Sequence, residues 1–166
     1  PALFQHGAIG AIPLYALAEN ARRAKLGLSV EDYRLEIGKL FEPFTKVAAA
    51  NPHAAAPVER SAAELATITD RNRVVSEPYA RMTVARDQVN QSAAIIVASV
   101  AKARELGVPE DKWVHIHAVT AATELPMLQR PDLSGCPASI ASAEAALRRA
   151  GKTLADMAYL DFYSCF

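Results

Sequence analysis

Few side chains in this sequence have the spacing that metal binding or catalysis requires. His115 and His117 alternate along an apolar stretch, so a strand there would place both imidazoles on one face. A zinc site needs three or four ligands, and no third ligand of a suitable type lies nearby in the sequence. Ordinary surface or core histidines are therefore the favoured interpretation, and a metal-binding pair is the alternative.

The nucleophilic side chains lack neighbours that would activate them. Cys165 lies in an apolar stretch without a basic residue beside it, and Cys136 follows a glycine in an expected loop. A thiol in such surroundings is usually structural. Ser164 is not part of a Gly-x-Ser-x-Gly elbow, which argues against a hydrolase nucleophile. Two cysteines are too few for a disulfide framework, so we expect a reduced, cytoplasmic setting.

The charge pattern excludes several classes of partner. The 166 residues have a formal net charge of +0, with 51% hydrophobic and 22% charged residues. This composition predicts a globular chain without the basic surface that nucleic acid or an anionic membrane requires. No apolar run approaches the roughly 18 to 20 residues of a membrane span. The pairs Arg22-Arg23 and Arg148-Arg149 are most simply solvated helix faces, with a phosphate contact as the alternative.

The elements that would position these residues change character along the chain. Helical spacing of apolar residues predicts a helix from Ile12 to about Lys25 and another from Ser29 toward Ala50. Ser29 has the type and position of a helix cap, and Ser61-x-x-Glu64 has the spacing of a capping box. The first half is therefore expected to be mostly helical.

The second half alternates between strand and helix patterns. Residues 93–98 form an unbroken apolar run that predicts a strand buried on both faces, and further strands are expected at 114–119 and from Tyr159. Short and longer helices are predicted at 102–106 and 139–150. Taken alone, these patterns predict an α/β protein with a helical insertion and name no function.

Four stretches, in order, resemble the central part of thiolases, and most of all the sterol-carrier-protein branch. They are Leu17-Ala18-Glu19-Asn20-Ala21, Ala48 to Ala54 with its Asn-Pro pair, Asn90-Gln91-Ser92-Ala93-Ala94, and Ala145 to Gly151 followed by Asp156 to Asp161. Tyr163-Ser164-Cys165-Phe166 then stands where this branch has a His-Asp-Cys-Phe motif. Both ends of the chain are apolar, so we expect an internal fragment of a longer enzyme.

The resemblance implies a partial, layered αβαβα thiolase core with a mostly helical loop domain inserted into it. It assigns residues 1–86 to the loop domain with adjoining core residues. Residues 87–112 would hold the last strand and helix of the N-terminal half, and residues 113–166 would begin the C-terminal half. Because thiolases are oligomers, a homodimer or homotetramer is implied as well.

The resemblance also implies site residues. The family's nucleophilic cysteine lies upstream of this stretch, and its catalytic histidine and second cysteine lie downstream. Tyr163 occupies the position of the Asn or His that serves the enolate oxyanion hole, and is the implied catalytic residue. Asp87, Gln88 and Asn90 lie where the family lines its coenzyme A channel. No tightly bound cofactor or metal is implied, since coenzyme A arrives as the thioester substrate.

The implied function is acyl transfer on an acyl-coenzyme A thioester, with formation or cleavage of a carbon–carbon bond. Tyr163 departs from the family's Asn or His, and a tyrosine hydroxyl can donate to an oxyanion or act as a general acid or base. One alternative is therefore retro-aldol cleavage of a steroid-type thioester. The other is a non-catalytic, thiolase-like scaffold in which Tyr163 only fills the position.

Overall fold

The structure is a computed structural model that describes residues 2–85, 90 and 92–163. It divides into two compact units. The first comprises Pro1–Asp87, Leu125–Cys136 and Asp161–Phe166, and the second comprises Gln88–Glu124 and Pro137–Leu160. We describe each unit by itself.

Helices dominate the described residues. The α-helices are α1 (Ala2–Gln5), α2 (Ala11–Lys25), α3 (Val30–Ala50), α4 (Ala62–Ala66), α5 (Val100–Glu105) and α6 (Pro137–Ala150). The strands are β1 (Val74–Ser76) and β2 (Tyr79–Ala80), and short 3₁₀ helices lie at Arg81–Thr83, Glu110–Lys112, Met127–Gln129 and Leu154–Asp156. None of the helices in this described part combines the length and apolarity needed to cross a membrane.

Local signals account for the helix boundaries in the first unit. The Ser29 hydroxyl accepts a hydrogen bond from the Asp32 amide at 3.0 Å and so caps α3. Glu31 and Asp32 add negative charge to the first turn of α3, where the helix dipole favours it. Gly27 adopts a φ of 69° just after α2, a left-handed conformation that suits glycine and ends the helix. The predicted helices at both places are confirmed.

The predicted cap at Ser61 is also confirmed. The Ser61 hydroxyl accepts from the Glu64 amide, and the Glu64 carboxylate accepts from the Ser61 amide, which completes a capping box at the start of α4. These hydrogen bonds to Ser61 hold the pKa of Glu64 below its ordinary value. The antiparallel β1–β2 hairpin that follows was not predicted, because its two strands are too short to show a period-2 pattern.

All described residues that are fully buried lie between Ala16 and Thr83. We call residues 11–83 the helical lobe. Its core consists of α2, α3, α4 and the hairpin, and α3 and α4 pack against each other most extensively. Buried side chains are contributed by Ala16, Tyr33, Leu65, Asn72, Pro78, Tyr79, Ala80 and Thr83. The lobe therefore has an interior of its own.

The three strands predicted in the second half are wrong for this structure. Residues 92–98, 114–119 and 159–163 form no strand, and the only sheet among the described residues is the β1–β2 pair. Ile96 is 94% exposed and Val114 is 93% exposed. Their sequence pattern is that of buried strands, but a strand forms only where a neighbouring strand supplies hydrogen bonds. No such neighbour is present within the described residues.

The two helices predicted in the second half are confirmed, with small differences in their bounds. The observed α5 and α6 begin two residues before the predicted starts, and α5 ends one residue early. Ser99 caps α5 by accepting from the Lys102 amide at 3.1 Å. Gly151, with a φ of 63°, follows the last residue of α6. Helices could be predicted here because their hydrogen bonds and caps are local.

Candidate functional site

Tyr163 lies in an extended stretch at the end of the described chain. Its side chain is 91% exposed, and its backbone belongs to no helix or strand. It belongs to the first unit. The neighbouring Ser164 and Cys165, which complete the motif in the sequence, lie outside the described residues. The side chain of Tyr163 is thus largely exposed in this chain, and its role remains a prediction.

The residues predicted to contact coenzyme A are described only in part. Asn90 is exposed and lies outside regular secondary structure, in the second unit. Asp87 and Gln88 lie outside the described residues. Tyr163 and Asn90, the two predicted residues that the structure describes, therefore belong to different units. The assignment of Asp87, Gln88 and Asn90 to coenzyme A binding stays a prediction.

His115, one of the two histidines singled out in the sequence, lies beside an aromatic and cationic stack in the second unit. The Arg104 guanidinium lies 5.6 Å from the centre of the Trp113 ring, and the His115 ring meets Trp113 edge-on with centroids 6.2 Å apart. Within the described part of the chain, no three His, Cys, Asp or Glu side chains are grouped so that they could hold a metal ion. His115 is exposed, and its ring contact with Trp113 is the interaction that the structure shows for it.

A groove in the second unit was not foreseen from the sequence. It runs between residues 120–122 and α6, and its volume is about 230 Å³. The Thr120 hydroxyl donates to the Ser142 carbonyl oxygen at 2.8 Å, and Arg149 donates to the Val119 carbonyl oxygen at 3.0 Å. These bonds hold the extended segment along α6. Arg149, which the sequence presented as a solvated residue or phosphate contact, thus binds a backbone carbonyl.

A second unforeseen cluster lies in the helical lobe, around the carboxylate of Glu19. The Tyr33 hydroxyl donates to Glu19 Oε2. Burial, together with the Glu19 charge and hydrogen bond, raises the pKa of Tyr33 well above its ordinary value, and the same causes raise the pKa of Tyr79. Both phenols therefore stay protonated near neutral pH. Tyr33 is thus a donor that joins α3 to α2, not a base.

The hairpin is fixed to the same two helices by polar contacts at its turn. Asn20 donates to the Glu77 carbonyl oxygen at 2.7 Å, and Arg34 meets both carboxylate oxygens of Glu77 at 3.1 Å. The Arg34 side chain is only 11% exposed, so its charge is better shielded from water than that of a typical surface ion pair. The Tyr33–Glu19 hydrogen bond thus connects α3 to α2, and the Arg34–Glu77 ion pair connects α3 to the hairpin.

The raised phenol pKa values predict that the helical lobe loses stability at alkaline pH. A tyrosine whose folded pKa lies above its unfolded value of about 10 contributes stability that is fully present below that pH. This contribution is lost as the pH rises through the folded pKa. We expect helical circular dichroism to fall above about pH 10, together with the appearance of part of the tyrosinate absorbance. Complete tyrosinate formation with the helices intact would contradict this.

Comparison with known proteins finds matches among solved structures. No protein-family model and no curated protein matches the chain. Among solved structures, the chain is similar to a monomeric SCP2-thiolase like protein type 1 from Mycobacterium smegmatis, with 53% sequence identity and a TM-score of 0.92. The match covers 99% of this chain and 36% of the M. smegmatis chain. This chain therefore spans little more than a third of that protein.

The match has 53% identity and covers 99% of this chain, so the resemblance seen in four stretches extends over nearly the whole chain. The TM-score of 0.92 shows that the backbone agrees as well. The chain belongs to the thiolase superfamily, and within it resembles the SCP2-thiolase-like proteins.

Proposed function

We propose that this chain is part of a thiolase-like acyltransferase that makes or breaks a carbon–carbon bond next to a coenzyme A thioester. The observation that carries the proposal is the 53% identity to an SCP2-thiolase-like protein across 99% of the chain. The proposed architecture is a layered αβαβα core, of which this chain supplies the helical lobe and the extended segments of the second unit.

In this proposal Tyr163 is the catalytic residue that the chain contributes. Cleavage of the carbon–carbon bond in a 3-ketoacyl thioester releases a shorter thioester as its enolate, and the enolate oxygen carries negative charge. A phenolic O–H can donate a hydrogen bond to that oxygen, as the family's Asn or His does through a water molecule. The exposed hydroxyl of Tyr163 is compatible with this role. Asp87, Gln88 and Asn90 are proposed to contact coenzyme A.

A tyrosine at this position also supports a second candidate, retro-aldol cleavage of a steroid-type thioester. The two reactions differ in their co-substrate. A thiolase breaks the bond with the thiolate of free coenzyme A, which ends bonded to the acyl fragment. A retro-aldolase breaks a 3-hydroxyacyl thioester into a carbonyl compound and a shorter thioester, and consumes no free coenzyme A.

The test uses the longer protein that contains residues 1–166, supplied with a 3-ketoacyl thioester plus coenzyme A or with a 3-hydroxyacyl thioester alone. Products are separated by liquid chromatography and identified by mass. Turnover that requires free coenzyme A supports the thiolase, and turnover without it supports the retro-aldolase. No turnover of either substrate would favour the remaining alternative, a non-catalytic scaffold. The 166-residue chain alone is expected to be inactive.

Replacing Tyr163 with phenylalanine in that longer protein is expected to lower kcat about 100-fold, because the ring is kept and only the donor is lost. Tyr159→Phe is the matched control, since Tyr159 is 94% exposed in the same extended segment and has no proposed role. Equal activity in the Tyr163→Phe and unchanged proteins would remove Tyr163 from the mechanism.

An assembled state is also part of the proposal. The family resemblance implies a homodimer or homotetramer, while the M. smegmatis protein is monomeric. Light scattering on the eluting peak of a size-exclusion column, run on the longer protein, decides between these states.

We place the protein in the cytoplasm, in keeping with the reduced setting that its two cysteines predict.

A further inference from the structure

Residues 125–136 form a segment that we call the strap. The strap belongs to the first unit, as the helical lobe does, while the chain on either side of the strap belongs to the second unit. Lys25, the last residue of α2, ties the lobe to the strap. Its ammonium donates to Asp132 Oδ2 at 2.9 Å and to Ser134 Oγ at 3.1 Å. Lys25 thus connects α2 to a carboxylate that lies 107 residues further along the chain.

Hydrogen bonds inside the strap shape it independently of α2. Asp132 Oδ1 accepts from the Ser134 amide at 2.7 Å, which leaves Oδ2 for Lys25. Arg130 Nε donates to the Leu125 carbonyl oxygen at 2.8 Å. Both bonds join residues within the strap, so neither requires the strap to contact α2. The strap therefore presents two preformed oxygen acceptors to a single ammonium.

The contact between Lys25 and Asp132 is open to water, since the two side chains are 67% and 56% exposed. An exposed ion pair is weak, and dissolved salt screens it. Hydrogen bonds from Ser134 and Lys25 hold the pKa of Asp132 below its usual range, so this carboxylate is charged at neutral pH. The charge that can change is therefore the charge on Lys25, which salt screens and acetylation removes.

Lys25 differs from lysines that pair within their own helix. Lys39 pairs with Glu36 and Lys102 pairs with Glu105, each at a spacing of i,i+3, so losing either charge affects one helix only. We propose that Lys25 is an ionic latch, meaning a charged contact that holds the strap on α2. The strap is released from α2 when the Lys25 ammonium is screened or neutralised. This device goes beyond the proposed acyl transfer and does not depend on it.

Cleavage by chymotrypsin tests the latch on the longer protein that contains residues 1–166, because a protease cuts a segment that has detached from the fold. Cleavage after Leu128 or Leu133, both in the strap, is followed by the masses of the fragments. Raising NaCl from about 20 mM to about 500 mM should speed this cleavage about 3-fold in the unchanged protein. Lys25→Gln should show the higher rate at both salt concentrations, which also controls for an effect of salt on the protease.

Further variants separate the charge from other effects. Lys25→Arg keeps the charge and should keep the slow, salt-dependent cleavage. Lys39→Gln removes a lysine charge from α3 and should leave cleavage of the strap unchanged, because its partner lies in the same helix. Asp132→Asn should reproduce Lys25→Gln, since asparagine keeps the acceptor for the Ser134 amide and loses the charge. Combining Lys25→Gln with Asp132→Asn should add nothing further.

Four results would overturn the inference. The first is equal cleavage of the strap in Lys25→Gln and the unchanged protein at low salt. The second is an additive effect of Lys25→Gln and Asp132→Asn, which would show that the two residues act separately. The third is a strap that resists cleavage in every variant, which would mean that other contacts hold it. The fourth is equally faster cleavage after Leu65, which is buried in the lobe and reports general unfolding.

Discussion

Replacing Asn72 with alanine is expected to destabilise the helical lobe by about 3 kcal/mol, because one amide side chain satisfies several buried backbone groups. Asn72 is 1% exposed. Its Nδ2 donates to the carbonyl oxygens of Leu65 at 3.0 Å and Thr67 at 2.9 Å, and its Oδ1 accepts from the Met82 amide at 2.9 Å. Removing the amide leaves these groups without their partner in a place that water reaches poorly.

Urea denaturation followed by far-ultraviolet circular dichroism measures this loss. Asn51→Ala is the matched control, since the Asn51 Oδ1 accepts from the His53 amide at 3.0 Å at an exposed position where water can replace it. We expect that variant to lose about 0.5 kcal/mol. Asn72→Asp should resemble Asn72→Ala, because a carboxylate keeps the acceptor for Met82 but cannot donate to the two carbonyls. Equal losses for the Asn51 and Asn72 alanine variants would refute the explanation.

The role of Asn72 shows what the sequence could and could not predict about the fold. Caps at Ser29 and Ser61 were predictable, because each joins groups three residues apart and requires no knowledge of the tertiary structure. The bonds of Asn72 join the end of α4 to Met82, which lies in a 3₁₀ helix and ten residues after Asn72 in the sequence. No local pattern indicates such a connection, so the role of Asn72 could not be predicted from the sequence.

The strand predictions were wrong for a related reason. An apolar run such as 93–98 shows that a segment must be buried, but it does not show whether a partner strand is within reach. Here Ile96 is 94% exposed and its segment forms no strand, so the strand prediction is wrong for this structure. The sheet depends on hydrogen bonds to distant residues, in contrast to the helices.

The candidate site divides in the same way. Tyr163, Asp87, Gln88 and Asn90 were chosen by resemblance, and the structure adds only that Tyr163 and Asn90 are exposed. The cluster around Glu19 could not be chosen, because Tyr33 and Tyr79 reach that carboxylate from separate elements. Neither phenol has a sequence neighbour that signals the contact. The sequence does not show which residues, far apart along the chain, lie close together in the folded protein.

Gly38→Ala is the second variant with a large expected effect, because α3 and α4 approach so closely at this position that only glycine fits. A Cβ at residue 38 would lie 3.1 Å from the carbonyl carbon and 3.3 Å from the Cα of Ala62, with the carbonyl oxygen closer still. Alanine ordinarily stabilises a helix interior by about 1 kcal/mol relative to glycine. Here the clash is with backbone, which cannot rotate away, so the net result should be a loss of about 2 kcal/mol.

Lys39→Ala separates the clash from a general effect of substitutions on α3. Lys39 is the next residue on the same helix, and its exposed side chain pairs with Glu36 at 2.7 Å. Losing this pair should change the free energy of unfolding by no more than about 0.5 kcal/mol. The urea midpoints of the two variants distinguish the explanations. Helix propensity alone predicts that Gly38→Ala is more stable than Lys39→Ala, whereas the clash with Ala62 predicts that it is less stable. A Gly38→Ala protein as stable as the unchanged chain would show that α4 can move away from α3, and that their close packing does not hold the lobe together.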